Sequence, residues 1–226
     1  MILYMNTKKK RIDFIIDLET GGYPPDGVVF DIAVIPFVLD EDFDFQTLVE
    51  RGLKIKLSSK TQDERLFDTG VMDWWKKQSP EAKQNLMPFE EGVTPDEAID
   101  LLIEFMTNHN VEFWKSHVWT RGNYDMQFIV NMIRNKLNTR ETFYKEPVFF
   151  GNCRDIRTGL EQVLLTRDAC VAPLHKDVLQ GFVKHDSLHD CAKDILMLNY
   201  ARGYALGTKK VPDDEDIDDT TRFIEK

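Results

Sequence analysis

The sequence predicts a mixed α/β fold, in which one sheet of antiparallel and parallel strands is flanked by helices. Three apolar segments near the start of the chain follow one another with short connections, which is typical of an antiparallel meander. Short apolar segments then alternate with helical patterns, and this alternation indicates further strands joined by helices. With 226 residues, 42% of them hydrophobic, the chain is long enough for one core domain.

The strands of the meander are expected over residues 12–22, 28–38 and 48–57. The first is a buried pattern that ends in a glycine turn, and the second is a continuous apolar and β-branched run. The third alternates polar and apolar residues, as a strand with one polar face does. Two further short strands are expected over residues 117–120 and 148–150.

Helices are expected where a capping residue precedes an amphipathic pattern. The clearest signal is the capping box Thr94-Pro95-Asp96-Glu97, which predicts a helix through about Asn108. The sequence Ser79-Pro80-Glu81 predicts another helix start, with proline at the first helical position. Other helices are expected over residues 71–78, from Asp125 onward, over 155–165 and over 186–206, with residues 166–182 as a loop.

The charge is unevenly distributed along the chain. A basic segment is expected over residues 1–11, a folded domain over 12–207, and an acidic, disordered tail over 208–226. The net charge of −10 argues against a nucleic-acid partner at first sight, but six acidic residues of the tail lie between 213 and 219. Bound divalent cations would reverse the local sign of a further carboxylate cluster.

Cysteine use and the N-terminal sequence both indicate a soluble protein of the cytoplasm. Cys153, Cys170 and Cys191 form no Cys-x-x-Cys pattern and cannot all pair, which suits a reducing compartment. The apolar stretch after the basic N-terminal run is interrupted by Asp13 and Asp17, so that it fits neither a signal peptide nor a membrane span. No membrane partner is therefore expected.

Four carboxylates lie where core elements begin or end. Asp17 and Glu19 are two residues apart at the end of the first strand, so that their side chains point to one face. Asp125 lies at the start of a helix, and Asp190 lies one turn into the last long helix. Each alone is better explained as part of a solvated turn or as a helix cap, but the set is a more specific pattern.

This pattern resembles the DEDD superfamily of exonucleases. Asp17-Leu18-Glu19-Thr20 matches its first motif, D-x-E-T, and Asn123-Tyr124-Asp125 matches the second. His185, five residues before Asp190, matches the third motif of the histidine subclass. The resemblance implies an RNase H-like fold, two Mg²⁺ or Mn²⁺ ions per site, and removal of nucleotides from 3′ ends.

Longer runs extend the resemblance over most of residues 12–207. Residues 74–82, 153–159, 164–168 and 181–197 are similar to the exonuclease A family of T-even-type bacteriophages. That similarity implies release of nucleoside 5′-monophosphates from single-stranded DNA, by an enzyme of the host cytoplasm if the chain is phage-encoded. Two alternatives stay open: a 3′-5′ exoribonuclease similar to ribonuclease T and to the bacterial adenylate-directed exoribonucleases, and a nucleic-acid-binding module that has lost catalysis.

Carboxylates without a cysteine or histidine cluster select hard cations such as Mg²⁺ and Mn²⁺. Asp17 is expected to bridge the two ions and Asp125 to hold the second, directly or through water. Glu19 and Asp190 are expected to complete the site that activates water. His185, with an ordinary pKa near 6.5, can accept the proton of that water at neutral pH.

Two other kinds of site would use some of the same residue types. His185 and His189 are four residues apart and could form a zinc pair on one helix face, but no Glu follows the first histidine as in H-E-x-x-H proteins. A metal phosphatase, or an oligoribonuclease-type enzyme for very short substrates, would use similar carboxylates.

Substrate contacts and the oligomeric state are less determined by the sequence. One of two adjacent tryptophans is expected to pack in the core, and the other to stack on a terminal base. Many relatives carry Asn where this chain has Arg121, four residues before the aspartate of the second motif. The sequence leaves open whether the chain forms a homodimer. The candidate substrate-binding residues are Thr20, Trp74, Trp75, Gln78, Arg121 and Arg157.

Overall fold

The computed structural model describes residues 10–84, 92–166 and 170–222. Within these residues the fold is built on one sheet of five strands in the order β3-β2-β1-β4-β5. Strands β1, β2 and β3 are antiparallel neighbours, whereas β4 and β5 run parallel to β1. The strands are β1 (Asp13–Thr20), β2 (Val29–Phe37), β3 (Leu53–Lys56), β4 (Val118–Thr120) and β5 (Cys153–Asp155).

Helices cover both faces of the sheet, which confirms the predicted mixed α/β fold. One face packs against α1, α6 and α7, and the other against α4 and α5. Two short helices, α2 and α3, pack beside the start of β2. The helices are α1 (Phe45–Arg51), α2 (Thr69–Lys76), α3 (Pro80–Gln84), α4 (Pro95–Asn108), α5 (Tyr124–Leu137), α6 (Ile156–Leu164) and α7 (Ser187–Leu206).

The central strand β1 divides its side chains between the two layers. Phe14 and Ile16 are buried in the core beneath α4 and α5, whereas Ile15 is buried in the core beneath α7. Because side chains alternate along a strand, Asp17 and Glu19 share the face of Ile15. The fold therefore places both carboxylates at the carboxyl end of the central strand, on the side covered by α7.

The third strand is shorter than expected because a helix precedes it. Asp44 caps α1 and accepts a hydrogen bond from the backbone N–H of Thr47 at 2.8 Å. Phe45 and Leu48 are the buried residues of α1. The apolar residues of positions 48–51 thus lie on a helix face, and β3 begins only at Leu53.

The prediction of a strand over residues 148–150 is wrong. Val148 is buried in the core of the α4/α5 layer, and Phe150–Asn152 forms a single 3₁₀ turn. The strand follows directly, as β5, and among the described strands it pairs with β4 only. Its three residues, Cys153, Arg154 and Asp155, carry no apolar alternation that would mark an edge strand in the sequence.

Most helix predictions are confirmed with their caps. The backbone N–H of Thr94 donates to Glu97 Oε2 at 2.9 Å, and the N–H of Glu97 donates to Thr94 Oγ1 at 3.3 Å, which completes the capping box of α4. Helix α7 ends at Gly207, whose φ of +68° is the left-handed conformation that glycine adopts easily. The end of the last helix is therefore where the sequence indicates it.

The acidic tail differs from the expectation of disorder as far as residue 222. Thr221 is fully buried, and its Oγ1 accepts a hydrogen bond from the backbone N–H of Leu174 at 3.1 Å. Lys176 pairs with Asp216 at 2.9 Å. The tail is thus tied to the loop before α7, because that loop supplies both hydrogen-bonding groups and a cation. The division of the chain at residues 11 and 207 stays a prediction.

Both ends of the chain extend beyond the described residues. The expected N-terminal basic segment lies mostly outside them, since only Lys10 and Arg11 are described. Lys10 pairs with Glu41 at 2.8 Å. Among the helices that the structure describes, none combines the length and the apolar character needed to cross a membrane.

Candidate active site

The carboxyl end of β1 forms the centre of an acidic site. Burial is the main cause that raises the pKa of Asp17 well above its usual value, and repulsion from Asp125 and Asp190 acts in the same direction. Glu19 is 8% exposed, and burial, followed by repulsion from Asp17, raises its pKa well above the usual value too. Asp17 is therefore close enough to interact electrostatically with each of the other three predicted carboxylates.

Asp125 reaches this centre from the amino end of α5. Its Oδ1 accepts a hydrogen bond from the backbone N–H of Leu18 at 3.3 Å, which joins α5 to the strand that carries the first motif. Burial raises the pKa of Asp125 to about 7, although hydrogen bonds from backbone N–H groups lower it. The preceding turn needs Gly122, whose φ is +91° and whose missing Cβ would collide with the Arg157 guanidinium.

His185 and Asp190 reach the site together from the start of α7. The backbone N–H of His185 donates to Asp190 Oδ2 at 2.9 Å, and Lys193 donates to Asp190 Oδ1 at 2.6 Å. His185 has a φ of +63°, an uncommon conformation for a residue with a side chain. Potential ligand atoms of Glu19, His185 and Asp190 lie within 4.8 Å of one another. One imidazole and two carboxylates therefore face the same small space.

The imidazole of His185 is held against aromatic rings. Its ring centroid lies 4.7 Å from that of Trp74 and 6.1 Å from that of Trp75, both edge to face. Burial lowers the pKa of His185, the charges of Lys184 and Lys193 lower it further, and Asp190 opposes them. The ring is therefore neutral at pH 7 and able to accept a proton.

The second histidine of the possible zinc pair has a different position. Nδ1 of His189 accepts a hydrogen bond from the backbone N–H of Val183 at 3.0 Å. Its ring packs edge to face on Phe45, with centroids 5.2 Å apart, and lies near Phe182. One ring nitrogen is thus used to hold the loop before His185, and the zinc interpretation loses its support.

The donor set fits hard divalent cations. Ligand atoms of Glu19, His185 and Asp190 lie together, and burial together with repulsion from neighbouring carboxylates raises the pKa values of Asp17 and Glu19. Carboxylate oxygens are the ligands that Mg²⁺ and Mn²⁺ prefer, although Lys193 already pairs with Asp190 at 2.6 Å. The structure therefore supports the predicted class of metal, without distinguishing the two ions.

The raised pKa of Asp17 predicts how stability without metal depends on pH. Below about pH 4 the carboxyl is protonated in both folded and unfolded chains. As pH rises, the carboxyl of Asp17 ionises first in the unfolded chain, because its pKa is lower there than in the folded chain. The free energy of unfolding therefore falls with rising pH until the pH exceeds the pKa of Asp17 in the folded chain. In thermal unfolding with EDTA, we expect Asp17→Asn to exceed the wild type in Tm by a difference that grows from pH 4 to pH 8. A constant difference would contradict the shift.

The two tryptophans have different surroundings. Trp75 is 1% exposed, donates from Nε1 to the backbone oxygen of Thr20 at 2.9 Å, and packs on Phe30. Trp74 is 42% exposed, and its backbone oxygen accepts a hydrogen bond from the Gln78 amide at 3.0 Å. Trp75 is therefore the core residue of the pair and cannot stack on a base, so that the substrate prediction for it is wrong. Trp74 keeps an exposed face beside His185.

The two arginines expected near phosphates bind other parts of the chain. Arg121 donates two hydrogen bonds to the carboxylate of Asp194, from Nε to Oδ2 at 3.1 Å and from Nη2 to Oδ1. It also donates from Nη1 to the backbone oxygen of Cys170 at 2.7 Å. Arg157 donates to the backbone oxygen of Arg121 at 3.2 Å. These bonds connect the turn before Asp125 to α7. They favour a role in holding the site over direct contact with substrate.

Several residues of the site do not belong to the recognised motifs. Asp31 of β2 is fully buried, lies opposite Glu19 in the register of β1 and β2, and faces Lys54 and Ser187. Asp194 contributes to the raised pKa of Asp17. In the sequence, Asp31 is the single charged residue in an otherwise apolar strand, and this signal could have identified it.

Solved structures with the same fold include proteins from S. pombe and E. coli. Pop2p of S. pombe, in a form with Mg²⁺ and Mn²⁺ bound, has a TM-score of 0.57 and 14% sequence identity, over 92% of this chain and 88% of that chain. E. coli exonuclease I, in complex with a 5cy-dA13 oligonucleotide, has a TM-score of 0.50 and 13% identity, over 88% of this chain. This chain spans only 41% of that longer protein. At these identities the comparisons establish the shared fold.

Sequence comparisons identify the family. An exodeoxyribonuclease of Enterobacteria phage T4 is 44% identical over 217 residues, which cover 91% of this chain and 96% of the phage protein. The model of the 3′-5′ exoribonuclease Rv2179c-like domain matches residues 12–201, the part of the chain that contains all three motifs. The predicted resemblance to an exonuclease of T-even-type bacteriophages is thereby confirmed. The chain belongs to the family of 3′-5′ exoribonuclease Rv2179c-like domains.

Proposed function

We propose that this chain is a metal-dependent 3′-5′ exonuclease that releases nucleoside 5′-monophosphates from single-stranded DNA. The observation that carries the proposal is that ligand atoms of Glu19, His185 and Asp190 lie within 4.8 Å of one another, while Asp17 interacts electrostatically with Glu19, Asp125 and Asp190. These residues belong to the three motifs by which the chain resembles exonucleases, which supports the proposal. Such a site is suited to hydrolysis at phosphorus.

The four carboxylates would hold two divalent cations, with Asp17 shared between them. When bound, the cations would neutralise charge on the phosphate, lower the pKa of water and stabilise the attacking and leaving oxygens. The repulsion that raises the pKa values of Asp17 and Glu19 would be relieved by this positive charge. The protein's contribution is therefore to keep these carboxylates together in advance.

His185 is the proposed general base. In hydrolysis, a water oxygen forms a bond to the phosphorus of the last phosphodiester while the bond from phosphorus to the 3′ oxygen of the preceding nucleotide breaks. The water proton passes to the neutral imidazole, and the leaving 3′ oxygen takes a proton from solvent. A shortened strand with a free 3′ hydroxyl and a nucleoside 5′-monophosphate result. The lowered pKa of His185 keeps the base unprotonated at neutral pH.

Trp74 is the proposed contact for the terminal base. Its ring is partly exposed and lies beside the imidazole, so that a base stacked on it would adjoin the acidic site. Stacking tolerates any sequence because every base has a π face. An unpaired 3′ end can stack in this way without the few kcal/mol needed to open a duplex. Single strands are therefore the proposed substrate.

Replacing each tryptophan should separate binding from folding. We expect Trp74→Ala to raise KM by about 5- to 150-fold, which corresponds to ~1 to 3 kcal/mol of stacking, with little change in Tm. Trp74→Phe should keep most of the affinity, because it retains a ring. Trp75→Ala is the matched variant and should destabilise the fold by about 3 to 5 kcal/mol. Steady-state kinetics with thermal unfolding checks both; an unchanged KM in Trp74→Ala would exclude the stacking role.

The choice of DNA over RNA rests on similarity. The phage relative at 44% identity is named an exodeoxyribonuclease, which supports DNA. The family description names an exoribonuclease, which makes an RNA-degrading enzyme the second candidate. Carboxylates that hold cations at the phosphate do not need the 2′-hydroxyl, so that discrimination must come from side chains near the sugar.

A competition experiment decides between the two sugars. DNA and RNA strands of one sequence, each with a different fluorophore near its 5′ end, would be mixed at equal concentration and fixed salt with Mg²⁺. We expect the DNA to be shortened at least about tenfold faster, as judged by kcat/KM. A tenfold preference for RNA would establish the exoribonuclease instead. Asp17→Asn serves as the control for contaminating nucleases.

A further inference from the structure

Lys54 of β3 lies between two carboxylates from different parts of the fold. Its Nζ is 3.0 Å from Oδ2 of Asp186 and 3.6 Å from Oδ2 of Asp31. Its side chain is only 16% exposed, and that of Asp31 is fully buried. Removing such charges from water is unfavourable unless each has partners. One lysine thus connects the edge of the sheet, through Asp186, to the start of α7.

A second contact connects α7 to the strand beside Glu19. Ser187, the first residue of α7, is fully buried and donates from Oγ to Oδ1 of Asp31 at 2.5 Å. Asp31 pairs directly with Glu19 in the antiparallel register of β1 and β2. Directly paired residues of antiparallel strands have side chains on the same face, about 5 Å apart. Asp31 therefore lies beside the proposed catalytic Glu19 and holds the helix that covers it.

The residues held by this network adjoin the proposed catalytic residues of α7. Asp186 caps the helix by accepting from the backbone N–H groups of Leu188 and His189, at 3.1 and 3.3 Å. His185 comes immediately before Asp186, and its backbone N–H is bound by Asp190. A shift of the first turn of α7 would therefore move the base and the third-motif carboxylate together, relative to Glu19.

We propose that Asp31, Lys54 and Ser187 are positioning residues, which fix His185 and Asp190 relative to Glu19 in the geometry that cation binding and turnover require. This inference rests on the proposed function for its kinetic consequence, but its consequence for metal binding does not require turnover. The competing explanation is an ion pair that only stabilises the fold. A positioning role predicts that cation affinity and kcat change at temperatures where the variants are folded. An ion pair that only stabilises the fold predicts that both stay at their wild-type values.

The test uses the full chain and three variants of the network. Lys54→Met removes the charge and keeps the length of the side chain, Lys54→Arg keeps the charge, and Ser187→Ala removes one hydrogen bond. Lys136→Met is the matched control, since Lys136 is also a partly buried lysine, 2.7 Å from Asp100 on α4. The increase of Tm with Mn²⁺ concentration gives the cation affinity. Kinetics on a single-stranded DNA oligonucleotide, well below each Tm, gives kcat and KM.

For Lys54→Met we expect kcat to fall by about 10- to 100-fold, and the Mn²⁺ concentration at half effect to rise by a similar factor, with KM within about twofold. Lys54→Arg should recover most of both, and Lys136→Met should lower only Tm. A lower Tm for Lys54→Met with wild-type kcat and Mn²⁺ affinity would overturn the proposal. If Lys54→Met does not fold, the same two measurements are made on Ser187→Ala. Wild-type kcat and wild-type Mn²⁺ affinity in Ser187→Ala would then overturn the proposal.

The wild type distinguishes failure of this inference from failure of the proposed function. A wild-type protein that binds Mn²⁺ but degrades no nucleic acid would contradict the exonuclease proposal. The Mn²⁺ affinities of the variants would then still support or overturn the positioning role.

Discussion

Asp17→Asn is expected to abolish hydrolysis, with a loss of at least about 10³-fold in kcat, while the fold is retained. The reason is that Asp17 is central to the acidic site: repulsion from Asp125, Asp190 and Asp194 contributes to its raised pKa. An amide of the same shape removes the negative charge that two cations would share. Kinetics with Mg²⁺ and Mn²⁺, together with circular dichroism, measures both expectations.

Asp13→Asn is the matched control for this prediction. Asp13 is a buried carboxylate of the same strand but lies at its opposite end, where it accepts hydrogen bonds from the backbone of His117 and from Trp119. Its replacement should lower Tm and leave kcat near the wild-type value. Normal activity in Asp17→Asn would show that the proposed reaction does not use this site.

His185→Asn is expected to slow turnover by about 10² to 10⁴, the usual contribution of a general base, with little change in Mn²⁺ affinity. Because burial lowers the pKa of His185, the acidic limb of the wild-type kcat profile should lie below the ordinary histidine value of about 6.5. The variant should lose that limb. The profile of kcat from pH 5 to pH 9, measured for both proteins, tests the assignment.

His175→Asn is a suitable control, since His175 lies in the loop before α7, with Asp177 and Asp216 as its ionic neighbours. Its replacement should leave kcat unchanged. His189 is a less suitable control, because its Nδ1 accepts a hydrogen bond from the backbone N–H of Val183 and its ring packs on Phe45. If His175→Asn slowed turnover as much as His185→Asn, the base would be wrongly assigned.

The sequence predicts the part of the site that depends on local order. Asp17 and Glu19 share a face because they are two residues apart on one strand, and His185 precedes Asp190 by about one helical turn. Capping signals are equally local, which explains why the bounds of α4 and the end of α7 are confirmed. Motif resemblance then supplied what spacing alone could not, namely that these segments meet.

Contacts between distant segments were not predictable in the same way. Arg121 was expected near phosphate, but its partner Asp194 lies 73 residues further along the chain. The buried network of Asp31, Lys54 and Ser187 likewise depends on strand register and on the packing of α7. The pattern of a single sequence indicates which face of a helix or strand is buried, but it does not indicate which other element packs against that face.

Two errors in secondary structure have the same origin. The run of residues 48–57 predicts one alternating strand, but the cap at Asp44 starts a helix that buries Phe45 and Leu48. Strand β5 has three residues and one neighbour, so that pairing with β4 defines it and its own composition does not. The ordering of the tail depends on contacts of Thr221 with a loop nearly fifty residues earlier, at Leu174.

The most direct test of the central claim identifies the product and the end from which it is released. Single-stranded DNA labelled at either end would be incubated with the purified chain in Mg²⁺, in Mn²⁺ or in EDTA, and the products analysed by mass spectrometry. We expect nucleoside 5′-monophosphates to be released first from the 3′ end, and only in the presence of a divalent cation. Release of label first from the 5′ end, products that carry a 3′-phosphate, or undiminished hydrolysis in EDTA would contradict this expectation.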